Sequence, residues 1–303
     1  MIKSNNHLLY IDNKILLMVM KMLDYRMITF LKLCEKMNYR LTAEELHMTQ
    51  PAVTQHIHYL EEEYNCKLFN YDKKKLEKTE SCLILEEYAK SAYYNHIKIK
   101  EIINSEKKIK IRMGVTKTIG EFVINEKIRK MFENINYDFS LVIDNTKKLL
   151  ELLEKNQLDF VLVEGIFDKN KYEYELYKKD EFIGICSKKH RFFNKEVKIE
   201  ELFDENIIIR EKGSGTRAIL EQILENKNFS LNSFKKQISI SNFSLIGEFV
   251  QENLGISFVY ESFTKKYKDI GRFFLKEKIE REYNYVTLKN TFAKNYIEIF
   301  KNI

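Results

Sequence analysis

The chain carries a single proline and no long apolar run in its 303 residues. Its N-terminal apolar stretch, Ile15-Leu16-Leu17-Met18-Val19-Met20, is bracketed by Lys14 and Lys21. That is shorter than the ~7–15 residues of a signal-peptide core and far below the ~20 of a membrane span. Nothing in it targets the chain away from the cytoplasm, which is the expected location. The four cysteines, Cys34, Cys66, Cys82 and Cys186, form no C-x-x-C pair and no dense framework, a pattern that suits a reducing cytosol. Cys34 and Cys66 occupy apolar positions and read as small core residues, while a thiol-switch role stays open for Cys82 and Cys186. There is no Cys/His cluster of zinc type, so neither metal nor cofactor is expected. A G-x-S-x-G elbow and recognisable Cys/His pairing are missing too, and no catalytic residue is assigned.

What is present is ordinary globular composition, with 44% hydrophobic and 32% charged residues and enough length for one to three domains. The formal net charge of +6 invites a nucleic-acid reading, but its location does not support one. Residues 22–80 hold nine Lys or Arg and ten Asp or Glu, which gives −1. Any DNA contact therefore rests on where individual charges stand.

The proline is Pro51, in Thr49-Gln50-Pro51-Ala52-Val53-Thr54-Gln55-His56-Ile57-His58-Tyr59-Leu60. Proline is tolerated in the first turn of a helix, where its missing N–H is no loss. Val53, Ile57 and Leu60 then share one face, and Gln50, Thr54, Gln55 and His58 point elsewhere. A short helix over about Leu41 to His47 precedes it across a tight turn. Two helices so joined, the second with a polar outer face, predict a helix-turn-helix over about 40–59.

From Met22 to about Tyr88 the chain resembles the DNA-binding head of the LysR-type transcriptional regulators. The similarity is carried by Ala43-Glu44-Glu45-Leu46-His47-Met48-Thr49-Gln50-Pro51-Ala52-Val53 through Leu60-Glu61-Glu62, then by Leu68-Phe69 and Thr79-Glu80. The resemblance implies a winged helix-turn-helix head over 22–80, a linker helix over 81–107 that pairs two chains, and an effector-binding domain over 108–303. Residues 1–21 then read as an extension or a misassigned start. Gln55 and His58 stand where relatives often have basic residues, Asn65 where glycine is usual, Tyr71 where arginine is common and Cys82 where glycine is common.

The first helix is expected over about Tyr25 to Met37, with Ile28, Leu31 and Cys34 on its inner face and Leu33 flanking. A hairpin follows, Lys67 to Tyr71 and Leu76 to Thr79, with Asp72-Lys73-Lys74-Lys75 at its tip. In the linker helix, Leu85, Ala89, Ala92, His96, Ile99 and Ile103 recur at heptad steps, the seam of two paired helices. Gln50, Pro51, Ala52, Thr54, Gln55 and His58 are the expected DNA-binding residues of the helix, Gln50, Thr54 and Gln55 reading base edges. Lys73 and Lys74 are expected to touch phosphate.

Beyond Lys108, short apolar strands alternate with helices, which predicts α/β domains with mostly parallel sheets. The landmarks resemble the family's effector domain, a two-lobed α/β fold like that of periplasmic binding proteins. Lobe I is expected over 108–165 and 266–303, lobe II over 166–265. Gly213-Ser214-Gly215-Thr216-Arg217 follows a strand and opens a helix; taken alone it reads equally as a tight loop with a helix cap or as an anion cradle of N–H and hydroxyl groups. Thr116-Lys117-Thr118 and Asp144-Asn145-Thr146 follow strand ends, where ligands sit in open α/β sheets. The effector site is thus expected at Thr116, Thr118, Asn145, Ser214, Gly215, Thr216 and Arg217. Together with Val163-Glu164-Gly165, these motifs resemble the branch with sulfur-assimilation and carbon-fixation regulators, whose effectors are small anions.

The resulting expectation is a regulator that binds a double-stranded DNA operator as a homodimer or homotetramer and is modulated by a small anionic or polar metabolite. The resemblance adds RNA polymerase as a further partner. The rival is a solute-binding protein of the periplasmic type with no regulatory role, suggested by residues 108–303 alone.

Overall fold

The computed structural model describes residues 24–73, 75–104, 108–267 and 269–303. They divide into two compact units, 24–104 with 289–292 and 108–288 with 293–303. The expectations for residues 1–21 and for Lys74 lie outside the described residues. Among the described residues no helix is long and apolar enough to cross a membrane.

The first unit opens with α1 (Tyr25–Lys36), capped by the Asp24 side chain and closed by Met37 in the left-handed region. Helix α2 (Tyr39–Glu45) follows, capped by Asn38. Helix α3 (Gln50–Glu63) starts at the Thr49 cap with Pro51 in its first turn, where the ring presets the backbone. Asn65, at φ 48, takes the left-handed turn out of it. A two-stranded wing, β1 (Phe69–Asp72) and β2 (Lys75–Lys78), pairs with Asp72 opposite Lys75, so these two belong to the strands and not to the expected tip. The buried Glu61 fixes the wing's start by accepting from Leu68 N at 2.9 Å and Lys67 Nζ at 2.6 Å.

Helix α4 (Glu80–Asn104) corrects the expected seam. Cys82, Leu85 and Ala89 are buried in the head's own core with Phe30, Leu33, Ile57 and Leu68, and so are not a free pairing surface. Further along, Ser91 Oγ donates to the Lys289 carbonyl at 2.7 Å and the Asn95 amide to the Asn290 carbonyl at 2.9 Å. A heptad count registers the apolar face but not which surface takes it. The inner face of α1 is likewise Met27, Phe30, Leu33 and Cys34, while Ile28 is exposed.

The second unit is built on a ten-stranded sheet. Strand β3 (Ile109–Thr116) runs parallel to β4 (Tyr137–Asp144) on one side and β5 (Phe160–Glu164) on the other. Helices α5 (Lys117–Phe122), α6 (Asn125–Glu133) and α7 (Thr146–Glu154) connect them. A single helix is expected over Glu121–Asn134; it is two, broken at Val123-Ile124. The long strand β6 (Glu173–Ser187) then crosses to a second group of strands: β7 (Glu196–Val197), β8 (Asn206–Ile209), β9 (Lys236–Ser239), β10 (Ile256–Tyr260) and β11 (Ile270–Leu275). Helices α8 (Gly215–Glu225) and α9 (Phe243–Gln251) cover this group. The chain returns through β12 (Glu280–Thr287) and ends in α10 (Ala293–Lys301).

The crossings fall later than the sequence suggests. Residues 173–181 of β6 pair with β12, which pairs in turn with β5, so they belong to the first lobe. Residues 182–187 pair with β10 and β11 in the second lobe. The first crossing is therefore at Asp180 to Phe182, not after Gly165, and the return lies between β11 and β12, not near Thr264 to Phe273. Glu173-Tyr174-Glu175-Leu176-Tyr177-Lys178-Lys179-Asp180 is too polar to read as a buried strand, which is why its half of β6 is invisible to an apolar pattern.

Candidate functional site

On α3 the apolar side packs inward, with Val53, Ile57 and Leu60 buried. Gln50, Pro51, Gln55 and His58 are exposed, and Ala52 and Thr54 half-buried. The Thr54 hydroxyl donates back to the Gln50 carbonyl at 3.1 Å. Two side chains are partly committed. His58 Nδ1 lies 3.6 Å from the Glu61 carboxylate, and His56 Nδ1 lies 2.9 Å from the Thr29 hydroxyl of α1. The cation beside this helix that sequence reading passed over is Arg26. Its guanidinium sits 3.5 Å from the centre of the Tyr59 ring and is anchored to Asp24 at 3.0 Å. Lys73 is exposed at the wing tip in the left-handed region, φ 43.

In the second unit, the loops at the carboxyl ends of β3, β5 and β8 converge on Glu164. This carboxyl is buried at the end of the apolar run Phe160-Val161-Leu162-Val163. Thr116 and Thr118, from the β3 to α5 corner, both donate their hydroxyls to it, and the Thr146 hydroxyl donates to its carbonyl at 3.0 Å. From the other lobe comes the start of α8. A Cβ on Gly215 would stand 3.5 Å from the Glu164 carbonyl oxygen and 4.0 Å from its Cγ. The start of α8 thus lies in van der Waals contact with Glu164, with the helix N-terminus turned toward it. Gly165, at φ +95, supplies the left-handed turn that lets the chain leave β5 beside it.

Burial pushes the Glu164 carboxyl up to about 7, and neighbouring Asp180 pushes the same way, against the Thr118 hydrogen bond and the Arg210 charge. Arg210 is itself clamped by Glu211 at 2.8 and 3.1 Å and stacked over Phe243 at 3.9 Å. Asp180 accepts from the Tyr283 hydroxyl at 2.9 Å, and the Tyr283 ring meets Tyr260 edge-on at 5.1 Å. Among the described residues, the buried Thr216 and Tyr260 hydroxyls have no hydrogen-bond partner. Unpaired buried hydroxyls are costly, so such groups commonly await a ligand or water.

The expected effector residues thus separate. Thr116 and Thr118 meet at Glu164, Gly215 reaches it from the second lobe, and Ser214 and Thr216 are buried beside Gly215. Asn145 instead caps α7, accepting from Lys148 N at 2.9 Å. Arg217 is held by Glu221 at 2.8 Å and the Arg210 carbonyl at 3.3 Å. Both of these side chains serve local structure. Glu164 itself was read from sequence only as a landmark; a lone charge ending an apolar strand was the signal available.

Comparison with known proteins agrees with both halves. The family model described as the LysR substrate binding domain matches residues 105–303. The one described as a bacterial regulatory helix-turn-helix protein, lysR family, matches residues 25–83. The HTH-type transcriptional regulator CysL of Bacillus subtilis is 29% identical over 245 residues, covering 78% of this chain and 80% of that protein. The RuBisCO operon transcriptional regulator of Allochromatium vinosum is 25% identical over 229 residues, covering 73% of this chain and 74% of its own length. Among solved structures, the CcmR regulatory domain from Synechocystis, in complex with 2-PG, has the same fold. It aligns with a TM-score of 0.57 at 17% identity, covering 64% of this chain and 96% of that one.

Proposed function

Since this chain belongs to the LysR family of helix-turn-helix transcriptional regulators, we propose that a small acidic metabolite switches it by binding between the two lobes at Glu164. The family match over residues 25–83 sets aside the reading as a solute-binding protein without a regulatory role. The protein acts on DNA in the cytoplasm as a dimer or tetramer, with RNA polymerase as its downstream partner and no catalytic step. Gln50, Thr54 and Gln55 read base edges, Ala52 and Pro51 set the helix against the groove, and His58, Lys73 and Lys74 touch the backbone.

The observation that carries the effector reading is the close approach of Gly215 to Glu164. It brings unpaired N–H groups and partial positive charge at the start of α8 to a carboxyl whose burial favours its neutral form. A protonated Glu164 can donate to an oxyanion, and the Thr216 and Tyr260 hydroxyls are free to join it. An ionised Glu164 repels the same ligand and keeps the Thr116 and Thr118 hydroxyls for itself. Anion binding is therefore coupled to proton uptake. The switch works because the ligand has a higher affinity for one lobe arrangement than for the other.

Calorimetry with sulfate, sulfite, phosphate and phosphorylated sugars at pH 6 and pH 8 tests the reading. Binding should weaken by up to about tenfold per pH unit above the Glu164 transition, the limit for one linked proton. Glu164→Gln should flatten that dependence, and Thr216→Val should lose the effector response while operator binding persists. Heats with the same pH dependence in the Glu164→Gln variant would remove this carboxyl from the site.

A further inference from the structure

Helix α3 brings neither lysine nor arginine to the DNA, and it ends in Glu61-Glu62-Glu63. Phosphate contacts supply a large share of the affinity for duplex DNA, so a groove-binding helix without a cation needs one from a neighbour. Several cations of the surrounding segments are spent inside the head. Lys32 and Lys36 are held by Glu45, Arg40 by Glu44 and Lys67 by Glu61.

Arg26 is placed differently. It stands in the first turn of α1, and its guanidinium lies 3.5 Å from the centre of the Tyr59 ring on α3, with the Tyr25 ring at 5.4 Å. Tyr59 follows Gln55 by one helical turn, so the two side chains share a face, and both are exposed. The guanidinium is therefore delivered to the flank of the surface that carries Gln55. Among the described residues its one side-chain hydrogen bond runs from Nη1 to the Asp24 carboxylate at 3.0 Å. Asp24 is at the same time the cap of α1, accepting from the Arg26 N–H at 2.9 Å. The carboxylate and the stacked ring fix the plane of the guanidinium and leave its Nε and Nη2 edge to donate. A planar fork held in this way suits the paired oxygens of a phosphate.

We propose that Arg26 is the phosphate anchor of the reading helix, a backbone contact that α1 provides where α3 has no lysine or arginine. Resting on α3 as the helix that enters the groove, this role makes Arg26 a positioning residue. It carries no sequence information and fixes the register in which Gln50, Thr54 and Gln55 meet the base edges.

Anisotropy titrations of the full chain with a random-sequence duplex, over about 50–200 mM salt, provide the test. Arg26→Met should reduce the slope of log K against log salt by about 0.9, the value of one phosphate contact. Arg26→Lys keeps the charge and should restore the slope, with affinity still below wild type because an ammonium lacks the planar fork. Asp24→Asn keeps a capping side chain and removes a negative charge beside the phosphate, so it should tighten binding at low salt. Gln55→Ala should leave the slope at its wild-type value. An unchanged slope in Arg26→Met would make Arg26 a packing residue and overturn the proposal. So would an Arg26→Lys slope no better than that of Arg26→Met, or weaker binding by Asp24→Asn. Wild-type protein that does not retain the duplex at any salt would instead overturn the assignment of α3 itself.

Discussion

Lys117 of the first lobe reaches across the cleft to Glu211 of the second, Nζ to Oε1 at 3.0 Å. Glu211 also clamps Arg210, and the two cations hold its carboxyl below its ordinary value although burial pushes it the other way. Both partners are about a third exposed, so the ion pair is screened and contributes only about 0.5–1 kcal/mol. Lys117→Met should accordingly lower the melting temperature by no more than a few degrees. Its larger effect should be on the lobe equilibrium, shifting the effector concentration needed to change operator affinity. Titrating effector against operator binding in the variant checks this; an unchanged midpoint would mean the pair does not bias the lobes.

The raised Glu164 carboxyl makes a prediction about stability that is independent of any ligand. The unfolded chain releases this proton near the ordinary carboxylate value, about 4.3, while the fold holds it to about 7. Between those values the folded state binds more protons, so this group's contribution is complete below the window and lost as pH rises through it. The loss is on the order of 4 kcal/mol at most. Other carboxylates, such as Glu45, held down to about 2 by Lys32 and Lys36, slope the opposite way. The informative quantity is therefore the difference between wild type and Glu164→Gln. Wild-type stability relative to the variant should fall between about pH 4.5 and pH 7; a constant difference would contradict the protonated state.

Leu85 is the position where the heptad reading and the structure disagree most usefully. It is buried in the head core with Leu33 and Ile57, so Leu85→Ala should destabilise the head by about 2–4 kcal/mol through lost burial and a cavity. Urea unfolding followed by far-ultraviolet dichroism measures the loss. A variant with wild-type stability that simply dissociates would return Leu85 to the pairing seam.

For DNA, Gln55→Ala should cost about 1–3 kcal/mol on the operator and relax preference at one base pair per half-site. Equal weakening on operator and random DNA would rule out base reading by this side chain.

Lys73→Ala should weaken binding to all sequences alike and reduce the slope of log K against log salt by about 0.9 for the one phosphate contact removed. An unchanged slope would leave Lys73 as a solvated tip residue.

The head was legible from sequence because its signals are local. Thr49 and Pro51 start α3, Val53, Ile57 and Leu60 space its buried face, and Asn65 ends it, each within a few residues of the next. The alternation of apolar strands and helices likewise announced α/β architecture, and the resemblance to the family implied its two lobes. A polar strand is less legible: residues 173–181 carry no apolar pattern because their backbone pairs with β12 while solvent, not a core, receives most of their side chains.

The amino-acid order by itself determined the helix-turn-helix, the class of the second domain and the loops Thr116–Thr118 and Gly213–Arg217 as candidate ligand positions. Only the tertiary structure decided that Glu164 is their common centre and that Asn145 and Arg217 are spent elsewhere. It also decided that Leu85 and Ala89 belong to the head core. Helix starts and apolar periods are set by neighbours in the chain. The state of a buried carboxyl is set by groups that meet it from distant segments: Thr118, Asp180 and Arg210. No spacing rule encodes that meeting; the packing of two lobes around crossing strands creates it.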